Sequence, residues 1–236
     1  LDRRQRQMCI RDRENIDVLV TAPINKETIQ SKHFSFMGHT DYLNENVEGS
    51  SVMMMVSENL RVALLTEHLS LSKVTSSITS ELVENRTKSI HKTLQLDFGV
   101  HNPKIAMLSI DPHAGDNGVI GNIDNMVLAP CINFMKKEGI QVDGPFPADS
   151  FFGSMKYKEF DAVIAPYHDQ GLIPFKTLSF GKGVNFTSGL KYVRTSPDHG
   201  TAYEIAGKGA AKDSSFLEAI KLALAVYTNR TKASKS

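Results

Sequence analysis

Three histidines each follow a short apolar segment that predicts a β-strand. His68 comes after VALLTE, His113 after IAMLSIDP and His168 after AVIAPY. The carboxyl ends of parallel strands meet at one edge of a sheet, so the three side chains are expected near one another. Three imidazoles with open positions are typical of a catalytic divalent-metal site. The three histidines lie too far apart for a local motif such as HExxH, so only the tertiary fold can bring them together.

Acidic neighbours add to this metal hypothesis. Asp111, Asp149 and Asp169 could orient the imidazoles or bind the ion directly, although Asp111 and Asp149 also fit turn or cap positions. Three imidazoles suit zinc, cobalt, nickel or iron, and added carboxylates would also allow manganese or magnesium.

A polar, glycine-rich segment from Phe175 to Lys208 contains several side chains that could neutralise an anion. They are Lys176, Lys182, Lys191 and Arg194, with Asn185 as a further donor. A phosphate or carboxylate pocket is one interpretation, and a solvated surface is the alternative for Lys182 and Lys191. The chain has neither GxGxxG nor GxxxxGK[ST], so a bound nucleotide would be held in another way.

Composition limits the class of protein. The chain has 236 residues, 41% hydrophobic and 22% charged, with a net charge of +1. It has no apolar run long enough to span a membrane and no secretory signal pattern, so a cytoplasmic protein is expected. Cys9 and Cys131 provide no disulfide framework. No basic patch with interleaved aromatic residues indicates nucleic-acid binding.

Residues 1–13 differ from the rest. They contain five arginines and two aspartates without apolar periodicity. The hexapeptide from Met8 to Arg13 is what a common sequencing-library transposon end encodes in one frame. We therefore expect a non-native, adapter-derived peptide, with a basic tail as the alternative.

Apolar strand-like segments alternate with helical patterns, which predicts an α/β fold with mainly parallel strands. The predicted strands are Ile16 to Val20, Val52 to Val56, Arg61 to Leu65, Lys104 to Ile110 and Asp161 to Ala165. One long helix is expected between the third and fourth strands, with Val74, Ile78, Leu82, Ile90 and Leu94 on one stripe. Two more are expected, from Asn122 to Lys137 and from the Asp213 cap onward.

Several motifs, taken in order, resemble the 4-hydroxythreonine-4-phosphate dehydrogenase family of pyridoxal phosphate biosynthesis. They are VTAPINKE, GHTD, the His68 segment, DPHAGDNG, GPFPADS, YHDQGLIPFK, GVNFTSG and RTSPDHGTAYEIAGKG. The last motif is also similar to a cofactor-binding loop of isopropylmalate and isocitrate dehydrogenases. Such a loop replaces the Rossmann glycine fingerprint.

The resemblance implies roles for individual residues. It makes His68, His113 and His168 the metal ligands. It assigns His39, Thr40, Lys176, Asn185 and Arg194 to the phosphorylated substrate, and His199, Gly200 and Thr201 to the cofactor, NAD or NADP. The proton acceptor stays open among Lys26, Asp149 and Asp169.

The resemblance also implies a two-domain isocitrate/isopropylmalate dehydrogenase-like fold, with the site in the cleft between the domains. A homodimer would complete the site with ligands from both subunits. Residues 29–170 would form the central α/β domain, and residues 14–28 and 171–236 a remnant of the first domain. The family has more chain before VTAPINKE, so the chain as written is expected to be unstable or inactive.

The implied reaction is NAD- and metal-dependent oxidation of 4-phosphooxy-L-threonine at C3. Decarboxylation to 3-amino-2-oxopropyl phosphate then leads to pyridoxine 5'-phosphate. Alternatives are a paralogous dehydrogenase of another four-carbon acid phosphate, a non-catalytic metal-dependent binding protein and a metal-dependent phosphohydrolase.

Overall fold

The computed structural model describes residues 16–25, 36 and 39–234. Its strands are β1 (Val18–Val20), β2 (Gly49–Val56), β3 (Arg61–Leu64), β4 (Lys104–Leu108), β5 (Gln141–Phe146), β6 (Ala162–Ala165), β7 (Val184–Leu190) and β8 (Val193–Pro197). Its α-helices are α1 (His39–Asn46), α2 (Leu71–Ser77), α3 (Ser80–Leu96), α4 (Ala129–Lys137), α5 (Ala148–Gly153), α6 (His168–Ser179) and α7 (Ser214–Ala233).

The described strands form one mixed sheet in the order β1-β8-β7-β2-β3-β6-β4-β5. The pairs β3–β6, β6–β4, β4–β5 and β1–β8 are parallel. The pairs β8–β7, β7–β2 and β2–β3 are antiparallel. The sheet therefore has a parallel half that contains β3, β6 and β4 and an antiparallel part formed by β2, β7 and β8.

The strands of the parallel half are apolar because both faces of the sheet are covered there. Every residue of β6 is buried, and alternate residues enter two different core clusters: Ile164 packs with α3 and α4, whereas Val163 packs with α5 and α6. A parallel strand covered on both faces gives a continuous apolar run in the sequence. The alternation of helices and strands predicted an α/β architecture, and the structure has one.

The prediction of one long helix after β3 is wrong, because the structure has two helices there. Helix α2 ends at Ser77, and Thr79 has the extended backbone of an N-cap. The Thr79 hydroxyl accepts a hydrogen bond from the Leu82 N–H at 3.2 Å. A threonine side chain that caps a new helix explains why a continuous apolar stripe does not give one continuous helix.

The other two predicted helices are present. Helix α4 follows a π-helical turn, Asp124–Leu128, and ends before Gly139, whose φ is 84°. Helix α7 begins after Asp213, but the Asp213 side chain makes no capping hydrogen bond. None of the helices in the described ranges is both long and apolar enough to cross a membrane. The predicted domain boundaries stay a prediction.

Candidate functional site

The strand register places several polar side chains of β7 and β8 on one face of the sheet. Asn185 pairs with Ser196 on β8 and with Met55 on β2. Directly opposed residues in antiparallel strands point to the same face, and so do residues two positions along. Thr187 and Arg194 therefore lie on this face, whereas Phe186 enters the core on the other.

Arg194 is the most unusual side chain of this face, because its guanidinium is buried with only neutral partners. The residue is 4% exposed. Its Nε and Nη2 donate to the Thr21 hydroxyl at 3.1 and 2.7 Å, and its Nη1 donates to the Thr187 hydroxyl at 3.1 Å. Burial lowers the pKa of Arg194 to about 10. Among the described residues no carboxylate forms an ion pair with it. A guanidinium has five N–H donors, so two remain for a ligand.

A cavity of about 700 Å³ lies over this face and extends to the ends of β3 and β6. Eight residues that the resemblance assigned to metal, substrate or cofactor line it: His39, His68, His168, Lys176, Asn185, Arg194, His199 and Gly200. Lys182 and Lys191 are not among its lining residues, and Lys191 lies instead in a larger cavity of about 840 Å³ beside α3 and α7. His68 and His168 therefore share this cavity with Lys176, Asn185 and Arg194, whereas His113 is not among its lining residues.

His68 and His168 approach each other because β3 and β6 are parallel neighbours. Their pairing continues past the strands: the Leu65 N–H donates to the Ala165 carbonyl, and the Thr66 hydroxyl donates to the Pro166 carbonyl at 2.7 Å. The two imidazole rings then lie with their centroids 5.8 Å apart. The Nδ1 of His168 is 2.7 Å from the Asp169 carboxylate, which leaves Nε2 for a ligand. Two imidazoles, one held by a carboxylate, fit a divalent metal ion.

His113 follows β4, the other parallel neighbour of β6, so all three histidines follow adjacent parallel strands. Its turn, Pro112–Gly118, is left-handed, with φ of 54° at His113 and 79° at Gly115. Buried Asp124 holds the start of this turn, because its carboxylate accepts the N–H groups of Ile110 and Asp111 at 2.8 and 2.9 Å. Among the residues that the structure describes, no three His, Cys, Asp or Glu side chains are grouped so that they could hold a metal ion. The three-histidine ligand set stays a prediction.

The remaining predicted residues lie elsewhere. Lys26 falls outside the described residues, as does the side chain of Thr40, although its backbone belongs to α1. Asp149 is exposed in the first turn of α5 and does not line the cavity. Asp169 lines a smaller adjoining pocket together with His68 and His168. Thr201 is exposed and also absent from the cavity lining.

Sequence reasoning missed several polar residues that line the cavity or hold Arg194. Glu67 precedes His68, and its carboxylate accepts the Met53 N–H at 3.2 Å and lies 3.9 Å from Nη1 of Arg86. Asp198 follows β8 and also lines the cavity. Thr21 and Thr187 hold Arg194. The apolar–polar alternation of Val184 to Thr187 at the start of β7 was the signal that could have located Thr187.

Comparison with known proteins identifies the family. The family model described as "Pyridoxal phosphate biosynthetic protein PdxA" matches residues 7–223. The chain belongs to the PdxA family. A curated PdxA-like relative, 4-hydroxythreonine-4-phosphate dehydrogenase of Bacteroides thetaiotaomicron, is 49% identical over 217 residues. The match covers 91% of this chain but only 60% of that relative.

Solved structures support the fold. The crystal structure of 4-hydroxythreonine-4-phosphate dehydrogenase from Klebsiella pneumoniae superimposes with a TM-score of 0.81 at 35% identity, covering 96% of this chain and 68% of that one. Isocitrate dehydrogenase from Methylococcus capsulatus gives a TM-score of 0.60 at 15% identity, with coverage of 96% and 72%. The predicted resemblance to the 4-hydroxythreonine-4-phosphate dehydrogenase family and the predicted isocitrate dehydrogenase-like fold class are thereby confirmed.

Proposed function

We propose that the protein acts as a 4-hydroxythreonine-4-phosphate dehydrogenase. It would oxidise 4-phosphooxy-L-threonine at C3 with NAD or NADP and release carbon dioxide to give 3-amino-2-oxopropyl phosphate, on the route to pyridoxine 5'-phosphate. The relatives named for this activity support the proposal. The observation that carries it in this chain is the buried Arg194 guanidinium, which has no carboxylate partner in the part of the chain that the structure describes and lines the same cavity as His68 and His168.

The phosphate would bind to Arg194, Lys176 and Asn185. A buried cation without a counter-charge is costly, and a dianionic phosphate would offset this cost while taking up the free N–H donors of Arg194. Neither Lys176 nor Asn185 uses its side chain in a hydrogen bond to another described residue. Anchoring the phosphate in this way would fix the position of the reacting carbon along the cavity.

A divalent ion would be held by His68 and His168, with His113 as the third ligand and a homodimer bringing ligands from both copies. Such an ion supplies Lewis-acid chemistry, because it lowers the pKa of an alcohol and stabilises negative charge next to a carbonyl. Asp169 keeps the His168 ring oriented through Nδ1. His199, Gly200 and Thr201 would lie beside the nicotinamide cofactor, which accepts the hydride. Lys26, Asp149 and Asp169 stay as candidates for the proton acceptor.

The test compares this chain with the full-length Bacteroides relative as a positive control. NADH formation is followed by absorbance with 4-phosphooxy-threonine, with a phosphorylated four-carbon hydroxy acid and with no substrate. In parallel, Co²⁺ binding is followed by its visible spectrum in wild type, His68→Ala and His168→Ala.

We expect Co²⁺ binding that needs both histidines, and NADH formation that is fastest with the amino acid phosphate. Faster turnover of the hydroxy acid phosphate would indicate the paralogous dehydrogenase. Metal and phosphate binding by this chain without NADH, while the relative is active, would indicate a binding protein. Release of inorganic phosphate without NAD would indicate a phosphohydrolase.

A further inference from the structure

Among the described residues, two carboxylates line the cavity, and they differ in their surroundings. Glu67 already has partners within the protein, since it accepts the Met53 N–H and lies next to Arg86. Asp198 forms no hydrogen bond or ion pair with the side chain of another described residue. The charge of Asp198 is therefore the one available to a ligand.

The position of Asp198 is fixed by the backbone rather than by polar partners. It follows Pro197 at the end of β8, and its carboxylate packs against Gly183, just before β7. A Cβ atom at Gly183 would lie 2.2 Å from Oδ2 of Asp198 and 2.7 Å from the ring of Phe175. Only glycine leaves room for the carboxylate here. The side chain is thus held at the cavity wall, near the residues proposed to bind phosphate.

Electrostatics at Asp198 favour a cationic ligand. Burial raises the pKa of the Asp198 carboxyl, and the charges of Lys176 and His199 and its own backbone N–H lower it. The half-buried carboxylate therefore carries a desolvation cost that its surroundings only partly offset. An ammonium group placed beside it would supply a charge-assisted hydrogen bond.

We propose that Asp198 is the specificity-determining residue that binds the amino group of the substrate, so that the cavity selects amino acid phosphates over hydroxy acid phosphates. This inference rests on the proposed function, because Arg194, Lys176 and Asn185 must first hold the phosphate. The two ends of the ligand then meet opposite charges: the phosphate meets the cations, and the ammonium meets Asp198. Apart from Glu67, which lies next to Arg86, the other charged groups of the cavity are cationic and would otherwise favour the more anionic hydroxy acid.

A matched pair of ligands tests this without requiring turnover. O-Phospho-L-serine and 3-phosphoglycerate share a carbon skeleton, but one has an ammonium group where the other has a hydroxyl. Their dissociation constants are measured by calorimetry with the full chain in wild type, Asp198→Asn, Glu67→Gln and Glu138→Gln. Glu138 is exposed at the end of α4 and controls for the loss of one negative charge. Inorganic phosphate serves as the reference ligand.

We expect wild type and Glu138→Gln to bind phosphoserine about tenfold more tightly than 3-phosphoglycerate, which corresponds to one charge-assisted hydrogen bond. Asp198→Asn should lose or reverse this preference while still binding inorganic phosphate. A preference that persists in Asp198→Asn, or that is lost in Glu67→Gln instead, would overturn the assignment while leaving the phosphate site intact. Failure of all three ligands to bind wild type would refute both the assignment and the phosphate site on which it rests.

Discussion

Replacing Arg194 with methionine separates a ligand-binding arginine from a structural one. Burial lowers the pKa of Arg194 to about 10. At about 1.4 kcal/mol per pKa unit, its charge carries a burial penalty on the order of 3 kcal/mol. Methionine removes this penalty, but the hydroxyls of Thr21 and Thr187 lose their donors, at about 1 kcal/mol or more for each lost hydrogen bond. The two effects oppose each other, so without ligand the free energy of unfolding should change by less than about 1.5 kcal/mol.

Arg230 provides the contrast, because it pairs with a carboxylate outside the cavity. Its Nε and Nη2 donate to Asp97 at 2.6 and 2.9 Å, and the Asp97 side chain is only 3% exposed. Arg230→Met would leave a buried carboxylate unpaired, which typically costs about 3–5 kcal/mol. The two substitutions remove the same charged group but should therefore differ in their effect on stability.

The assay is urea unfolding with and without inorganic phosphate. A ligand at one hundred times its dissociation constant stabilises the folded state by about 2.7 kcal/mol. Wild type and Arg230→Met should gain this stabilisation, and Arg194→Met should lose it. Equal phosphate stabilisation of Arg194→Met and wild type would refute the anion site. A stability loss in Arg194→Met as large as in Arg230→Met would refute the argument that its charge is uncompensated.

Three further predictions concern the supports of the site. Asp169→Asn should weaken Co²⁺ or Zn²⁺ binding about 10- to 100-fold in a metal titration, because Asp169 orients His168; unchanged affinity would contradict that role. Asp124→Ala should lower the free energy of unfolding by about 2–4 kcal/mol in urea, because two buried N–H groups lose their acceptor, whereas exposed Asp143→Ala should cost less than about 1 kcal/mol. Gly171→Ala should lower the melting temperature, with a cost of about 1–3 kcal/mol, because its Cβ would lie 2.8 Å from Val62 and 2.9 Å from Ala165; an unchanged melting temperature would show that α6 can shift away from the sheet.

The parallel half of the sheet was predictable because its strands are buried on both faces. Continuous apolar runs predicted β3, β4 and β6. Because the carboxyl ends of parallel strands meet at one edge of a sheet, the sequence also predicted that His68 and His168 lie near each other. The sequence did not reveal β7 and β8, because polar and glycine residues interrupt the apolar pattern there. The polar residues that interrupt the pattern include those of the candidate site, since Asn185 and Arg194 are strand residues on the cavity face. The polar, glycine-rich segment in which the sequence analysis placed the anion-binding candidates therefore contains an antiparallel strand pair.

Register explains which polar residues could not be found from sequence. Thr21 has no motif of its own, and it reaches Arg194 only because β1 continues in register beside β8, with the Thr21 N–H donating to the Thr195 carbonyl at 3.0 Å. Glu67 and Arg86 meet because α3 packs beside β2 and β7. Such pairs are set by tertiary packing rather than by spacing along the chain.

The sheet order also limits the ligands that the cavity can hold at both ends. His68 and His168 follow β3 and β6, whereas Asn185 and Arg194 lie on β7 and β8, with β2 between the two groups. Neighbouring strands are about 4.8 Å apart, so β3 and β7 are separated by roughly 10 Å. Because the side chains of both groups extend into the cavity, a ligand only a few bonds long can bridge them, with its phosphate on one side and its reacting alcohol on the other. A small phosphorylated alcohol satisfies this spacing, whereas inorganic phosphate alone would occupy only the β7–β8 side and would not reach the two histidines.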